Sequence, residues 1–291
     1  MLNAARGSAR WIAVIALTAL VTVVPFSVTE SASAATSDAC GSRIAKPGGG
    51  LWACSFVDDF SGTRLDTSRW VVGDSATSGF HMNSTCFKPG QNVAVGGGQL
   101  KLSVRRAAPF TCEVLGGNVT AVGVGAGVST YGKFSQAYGR FEARVKYPSH
   151  AGVGLHSNFW MNPQVRTYGA WPASGEIDVA EWSSGFAGRV YPSLHYTGRT
   201  SADTGWACSV ARADAFHTYT LVWGPTTMQF LVDGTLCFSR SWSPTDMTAP
   251  KPFDKPFTAA LTAGLGGGTN APDARTPNLA TTTVDYVKVW R

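Results

Sequence analysis

Between residues 171 and 182 the chain reads WPASGEIDVAEW, and three carboxylates, Glu176, Asp178 and Glu181, stand in a run that is otherwise apolar and β-prone. Side chains two apart on a strand share a face, so Glu176 and Asp178 point one way while Ile177 and Val179 point the other. In a regular strand Glu181 would face the packed side. A one-residue β-bulge at Val179 or Ala180 restores the parity, and bulges are common beside active sites because they re-aim a side chain. Three like charges on one face repel, and at least one carboxyl should have a raised pKa. Such a set suits cleavage of a glycosidic bond, where one carboxyl protonates the leaving oxygen and an ionised one attacks or stabilises the sugar cation. Retaining enzymes hold the two groups about 5 to 5.5 Å apart, and two glutamates leaning over a shorter aspartate fit that better than a gap for water. Asp178 is then expected to hydrogen-bond one glutamate and bias which of the two carries the proton. On spacing alone, a solvated edge strand and a cation site stay open beside catalysis.

The elements that must position these residues are strands. Segments 99–106, 139–148, 216–223, 228–238 and 281–290 alternate apolar and polar residues with period two, and VGGG (95–98), VDG (232–234) and GLGGG (264–268) punctuate them as turns. Beyond the N-terminal run, no long stretch carries apolar residues at helical spacing. The pattern predicts an all-β domain, two packed antiparallel sheets of which a β-jelly-roll is one version. One such domain accounts for residues 51–291, preceded by a short Pro/Gly lead-in over 35–50.

Residues 1–34 read as a secretory signal peptide: Arg6 and Arg10 precede the apolar run IAVIALTALVTVV, and Ala32-Ser33-Ala34 offers a cleavage pattern. The expected location is therefore outside the cell, with no membrane anchor. Export makes disulfides the natural reading of the six cysteines, and they fall into local couples: Cys40 with Cys54, Cys86 with Cys112, Cys208 with Cys237. Without Arg6, Arg10 and Glu30 the net charge of +6 becomes +5, and the basic residues are scattered, which argues against a nucleic-acid partner. Charged residues make up only 14% of the chain while Gly and Trp are plentiful, a surface suited to neutral polymers. A monomer is expected.

The motif GEIDVAE resembles the signature of glycoside hydrolase family 16, in the bulged E-x-D-x-x-E form of bacterial endo-β-1,3-glucanases (laminarinases), agarases and carrageenases. FVDDFSGTRLDTSRW (56–70), NVAVGGGQLKL (92–102), YGRFEARVKYP (138–148) and TVDYVKVW (283–290) resemble further family segments in the same order. The resemblance implies a β-jelly-roll with a concave cleft, Glu176 as nucleophile, Glu181 as general acid/base and Asp178 as helper. It implies no cofactor for catalysis and a polysaccharide substrate, endo-β-1,3-glucan first, with mixed-linkage glucan or a galactan as alternatives. Trp160 and Trp171 match cleft positions where a pyranose stacks on an indole, whereas Trp52, Trp223 and Trp290 read as core. His195 matches a family histidine near the acid/base, and Asp285 a position that helps hold a structural calcium. The chain departs from the laminarinase pattern at His156, Ser157 and Asn158, where Trp-Pro-Ala is common, and at Thr262, so one or more sugar subsites differ. A non-catalytic glucan-binding or lectin-like module is the competing reading, since the same fold supports both; such a module would have no reason to keep both glutamates.

Overall fold

The computed structural model describes residues 37–149 and 152–291. The expected signal peptide and its cleavage point lie outside the described residues. Among the described residues sixteen strands form one sheet, twelve of them along a single path and four paired to its side, with a separate two-stranded pair at Ser37–Asp38 and Gly41–Ser42. The path runs Cys208–Ser209, Arg189–His195, Glu176–Ser183, Leu155–Pro163, Phe257–Leu265 and Val119–Ser129, then Leu100–Cys112, Leu279–Trp290, Gly139–Lys146, His217–Trp223, Met228–Val232 and Thr235–Arg240. Val119–Ser129 joins the two halves: residues 126–129 pair with Phe257–Leu265, and residues 119–124 with Leu100–Cys112. Every ladder is antiparallel except the short Thr85–Phe87 pairing with Val119–Ser129.

The two halves close on a shared core that includes Ile177, Trp182 and Leu261 from one and Phe141, Tyr219 and Val287 from the other. Ile177 and Val179 are buried, and each such side chain contributes roughly 1.5–3 kcal/mol on leaving water. Slipping the strand by one residue would expose them and bury the carboxylates, so the register is strongly determined. The predicted strands appear in place, and the single run 228–238 is resolved into two strands. Its VDG turn has Asp233 at φ 49° and Gly234 at φ 78°, the paired positive φ of a two-residue hairpin. Helix is confined, among the described residues, to Ser75–Ser78 and three short 3₁₀ turns, and none is long and apolar enough to cross a membrane.

All three cysteine couples are disulfides: Cys40–Cys54, Cys86–Cys112 and Cys208–Cys237. The first ties the lead-in to the domain, where Cys40 packs with Trp52 and Trp290. Trp52, Trp223 and Trp290 are buried, as the sequence suggested; so is Trp182, stacked on Tyr147 at 5.1 Å.

Candidate active site

The carboxylate strand is Glu176–Ser183. It follows Gly175, whose φ of 84° suits glycine and where a Cβ would meet Phe253 Cε1 at 2.8 Å. Against Leu155–Pro163 the pairing steps from Trp160↔Asp178 to Phe159↔Ala180, which leaves Val179 as the extra residue. Against Arg189–His195 it steps from Asp178↔Ser193 to Glu181↔Tyr191, so Val179 and Ala180 together face Pro192 alone. This is the bulge that the two-then-three spacing required. Pro192 has no N–H to leave unpaired there, and the carbonyl of Ala180 accepts a hydrogen bond from the buried Tyr147 hydroxyl at 2.9 Å. Glu176, Asp178 and Glu181 consequently line one cleft of about 350 Å³, together with His156, Asn158, Trp160, His195 and Thr262.

Asp178 differs from the expectation. It makes no hydrogen bond to a glutamate: Asn158 Nδ2 donates to Oδ1 at 2.6 Å, and His195 Nε2 lies 2.7 Å from Oδ2. The aspartate is buried, and both oxygens are better satisfied by these neighbours than by a second anion. Its effect on Glu176 is electrostatic. Burial and then the Asp178 charge push the Glu176 carboxyl from an ordinary 4.5 up to about 8, against the opposing pull of His195, whose Nε2 lies 3.8 Å from Glu176 Oε1. Glu181 moves the other way. Burial would raise its pKa, but a hydrogen bond with His156 at 2.8 Å, with the electrostatic pull of His156, His195 and Arg199, holds it below the ordinary value. Burial would lower the pKa of His195, yet its bond to Asp178 and the charges of Asp178 and Glu176 leave it raised.

Trp160 lines the cleft beside Phe80, ring centres 5.3 Å apart, with its indole N–H buried and unpartnered. Trp171 is 57% exposed and stands 5.9 Å from the His195 ring, at the Glu176 end of the site. The sequence reading treated His156 and Asn158 as changes to sugar subsites and missed that they hold the acids themselves. Their period-two spacing with Trp160, on one strand face, was the available signal. Asp285 lies elsewhere, its carboxylate paired with Arg144 Nη1 at 2.7 Å. Among the described residues the three-group clusters able to hold a metal are Asp38, Cys40 and Cys54, whose cysteines are disulfide-bonded, and Glu176, Asp178 and His195; Asp285 is in neither.

Residues 80–288 match the family described as Glycosyl hydrolases family 16. The chain is similar to the glucan endo-1,3-beta-glucosidase A1 of Niallia circulans, 32% identical over 80% of this chain but spanning only 37% of that relative's length. The beta-glucanase of Rhodothermus marinus is 33% identical over 82% of this chain and 85% of its own. The solved laminarinase from Rhodothermus marinus superposes with a TM-score of 0.70 at 28% identity, covering 82% of this chain and 97% of that one. It has the same all-β architecture, a large curved antiparallel sheet.

Proposed function

The chain belongs to glycosyl hydrolase family 16, and from that premise we propose that it is an exported, retaining endo-β-glucanase whose first substrate is β-1,3-glucan. The observation that carries the proposal is the bulge, which brings two glutamates and an aspartate to one cleft wall. Glu176 attacks the anomeric carbon as Glu181 gives its proton to the leaving glycosidic oxygen, and a glycosyl-enzyme ester forms. Water then attacks that carbon, loses its proton to Glu181, and Glu176 is released as carboxylate. Trp160 and Trp171 supply apolar faces for the sugar on the Glu176 side. The leader-like N-terminus and the three disulfides support export.

Without substrate, protonation favours Glu176 over Glu181. Catalysis needs the reverse distribution. Positive charge growing at the anomeric carbon favours ionised Glu176, and the glycosidic oxygen gives a Glu181 proton its acceptor. The two carboxyls titrate as a pair, so the bell-shaped pH profile of kcat/KM belongs to both. The electrostatic order by itself favours a second reading, in which the two glutamates exchange roles. A 2-fluoro β-1,3-glucoside that traps the ester separates them by peptide mass spectrometry. Label on Glu176 is expected; label on Glu181 establishes the exchange, and no label on either ends the retaining mechanism. Product analysis on laminarin, mixed-linkage glucan, agarose and carrageenan tests the substrate, with laminarin expected to be cleaved fastest.

A further inference from the structure

Where the laminarinase pattern has tryptophan, this chain has His156, and the histidine is not a passive wall. Its Nε2 lies 2.8 Å from Glu181 Oε1, while Nδ1 is buried with no partner. A hydrogen on Nδ1 would strand a buried donor, so the network places the ring hydrogen on Nε2, where Glu181 accepts it. A carboxylic acid accepts best at its carbonyl oxygen. With Oε1 held by His156, a protonated Glu181 carries its hydrogen on Oε2.

We propose that His156 is a positioning residue for Glu181: its Nε2–H fixes Oε1, confines the transferable proton to Oε2, and bonds more strongly as Glu181 becomes a carboxylate. The inference rests on the assignment of Glu181 as acid/base made above. In the first step the Oε2–H bond breaks, the proton goes to the glycosidic oxygen, and the pair of the C–O bond leaves with that oxygen. Charge appears on Glu181 at that moment, and a charge-assisted hydrogen bond is roughly twice as strong as a neutral one. The help is therefore differential, greater in the transition state than in the Michaelis complex, where Glu181 carries the proton.

The other groups facing Glu181 do not duplicate this contact. Glu176 and Asp178 share its strand and repel its charge, His195 and Arg199 attract it without a hydrogen bond to it, and Tyr147 and Tyr191 lie close enough to feel it. Asn158, its direct neighbour in register, is turned to Asp178. His156 alone among the described residues is hydrogen-bonded to the Glu181 carboxyl.

The test uses the whole protein and two substrates, laminarin and a dinitrophenyl β-1,3-glucoside whose leaving group needs no proton. His156→Phe keeps a ring and loses the donor; His156→Gln keeps an N–H of similar reach. On laminarin, His156→Phe should lower kcat by about ten-fold or more and move the acid limb of kcat/KM to higher pH, because Glu181, the lower-titrating member of the pair, then holds its proton more tightly. The aryl substrate should fall far less, and His156→Gln should recover most of the laminarin rate and the parental limb. Equal losses on both substrates, an unmoved acid limb, or a Gln variant as poor as Phe would each overturn the inference. If the Phe variant does not fold by circular dichroism, His156→Asn, whose amide falls short of Glu181, takes its place with the same outcomes. Glu181→Ala is the control for the underlying assignment: azide should rescue it on the aryl substrate and yield the retained β-glycosyl azide. Without that rescue the acid/base assignment fails, whereas rescue with silent His156 variants removes only the role of His156.

Discussion

Replacing Glu176 with glutamine should abolish hydrolysis and, at alkaline pH, make the protein more stable. The side chain is 20% exposed, and burial together with the Asp178 charge raises its pKa from 4.5 to about 8. A folded-state pKa above the unfolded one means that the native state binds the extra proton. Its stability is full below about pH 4.5, declines as pH rises, and reaches its low plateau above about pH 8. At about 1.36 kcal/mol for each pH unit, the whole interval corresponds to about 5 kcal/mol as an upper bound. Water entering the cleft reduces that, so a gain of about 2 kcal/mol or more is the expected outcome. Glutamine is nearly isosteric with the protonated acid and never ionises, and it escapes the whole decline. Urea denaturation of parent and variant at pH 5 and pH 9 measures it: near parity at the lower pH, the variant ahead at the higher. A difference that does not change with pH, or one that favours the parent at pH 9, would refute the burial argument for Glu176.

Tyr147→Phe removes the hydroxyl that satisfies the Ala180 carbonyl in the bulge. The loss should be about 1–3 kcal/mol in urea denaturation, and kcat should fall with little change in KM because Glu181 is less well aimed. Replacing Cys86 and Cys112 together by alanine opens a crosslink of sequence separation 26. By chain entropy this costs about 3–4 kcal/mol, read as a lower midpoint in non-reducing denaturant. Trp171→Ala removes an exposed indole beside His195. It should raise KM for laminarin several-fold and leave the melting temperature unchanged, as calorimetry can check.

The local parts of the site were written in the sequence. Parity along one strand is a property of neighbouring residues, so the bulge at Val179 and Ala180 could be deduced from the positions of three acids. The hairpin at Asp233-Gly234 and the strand positions follow from the same short-range rules, and the cysteine couples from their short separations.

What the tertiary structure decided is who touches the acids, and so where the proton sits. Glu176, Asp178 and Glu181 look equivalent along the chain. They become unlike because His156 and Asn158 arrive from Leu155–Pro163 and His195 from Arg189–His195: His156 binds Glu181, while Asn158 and His195 both hold Asp178. Asp178 was expected to lean on a glutamate and is held by neutral and basic partners instead. Spacing reports which face a residue occupies. A pKa depends on burial and on charges a few ångströms away, contributed by strands distant in sequence, and only the folded sheet brings those together.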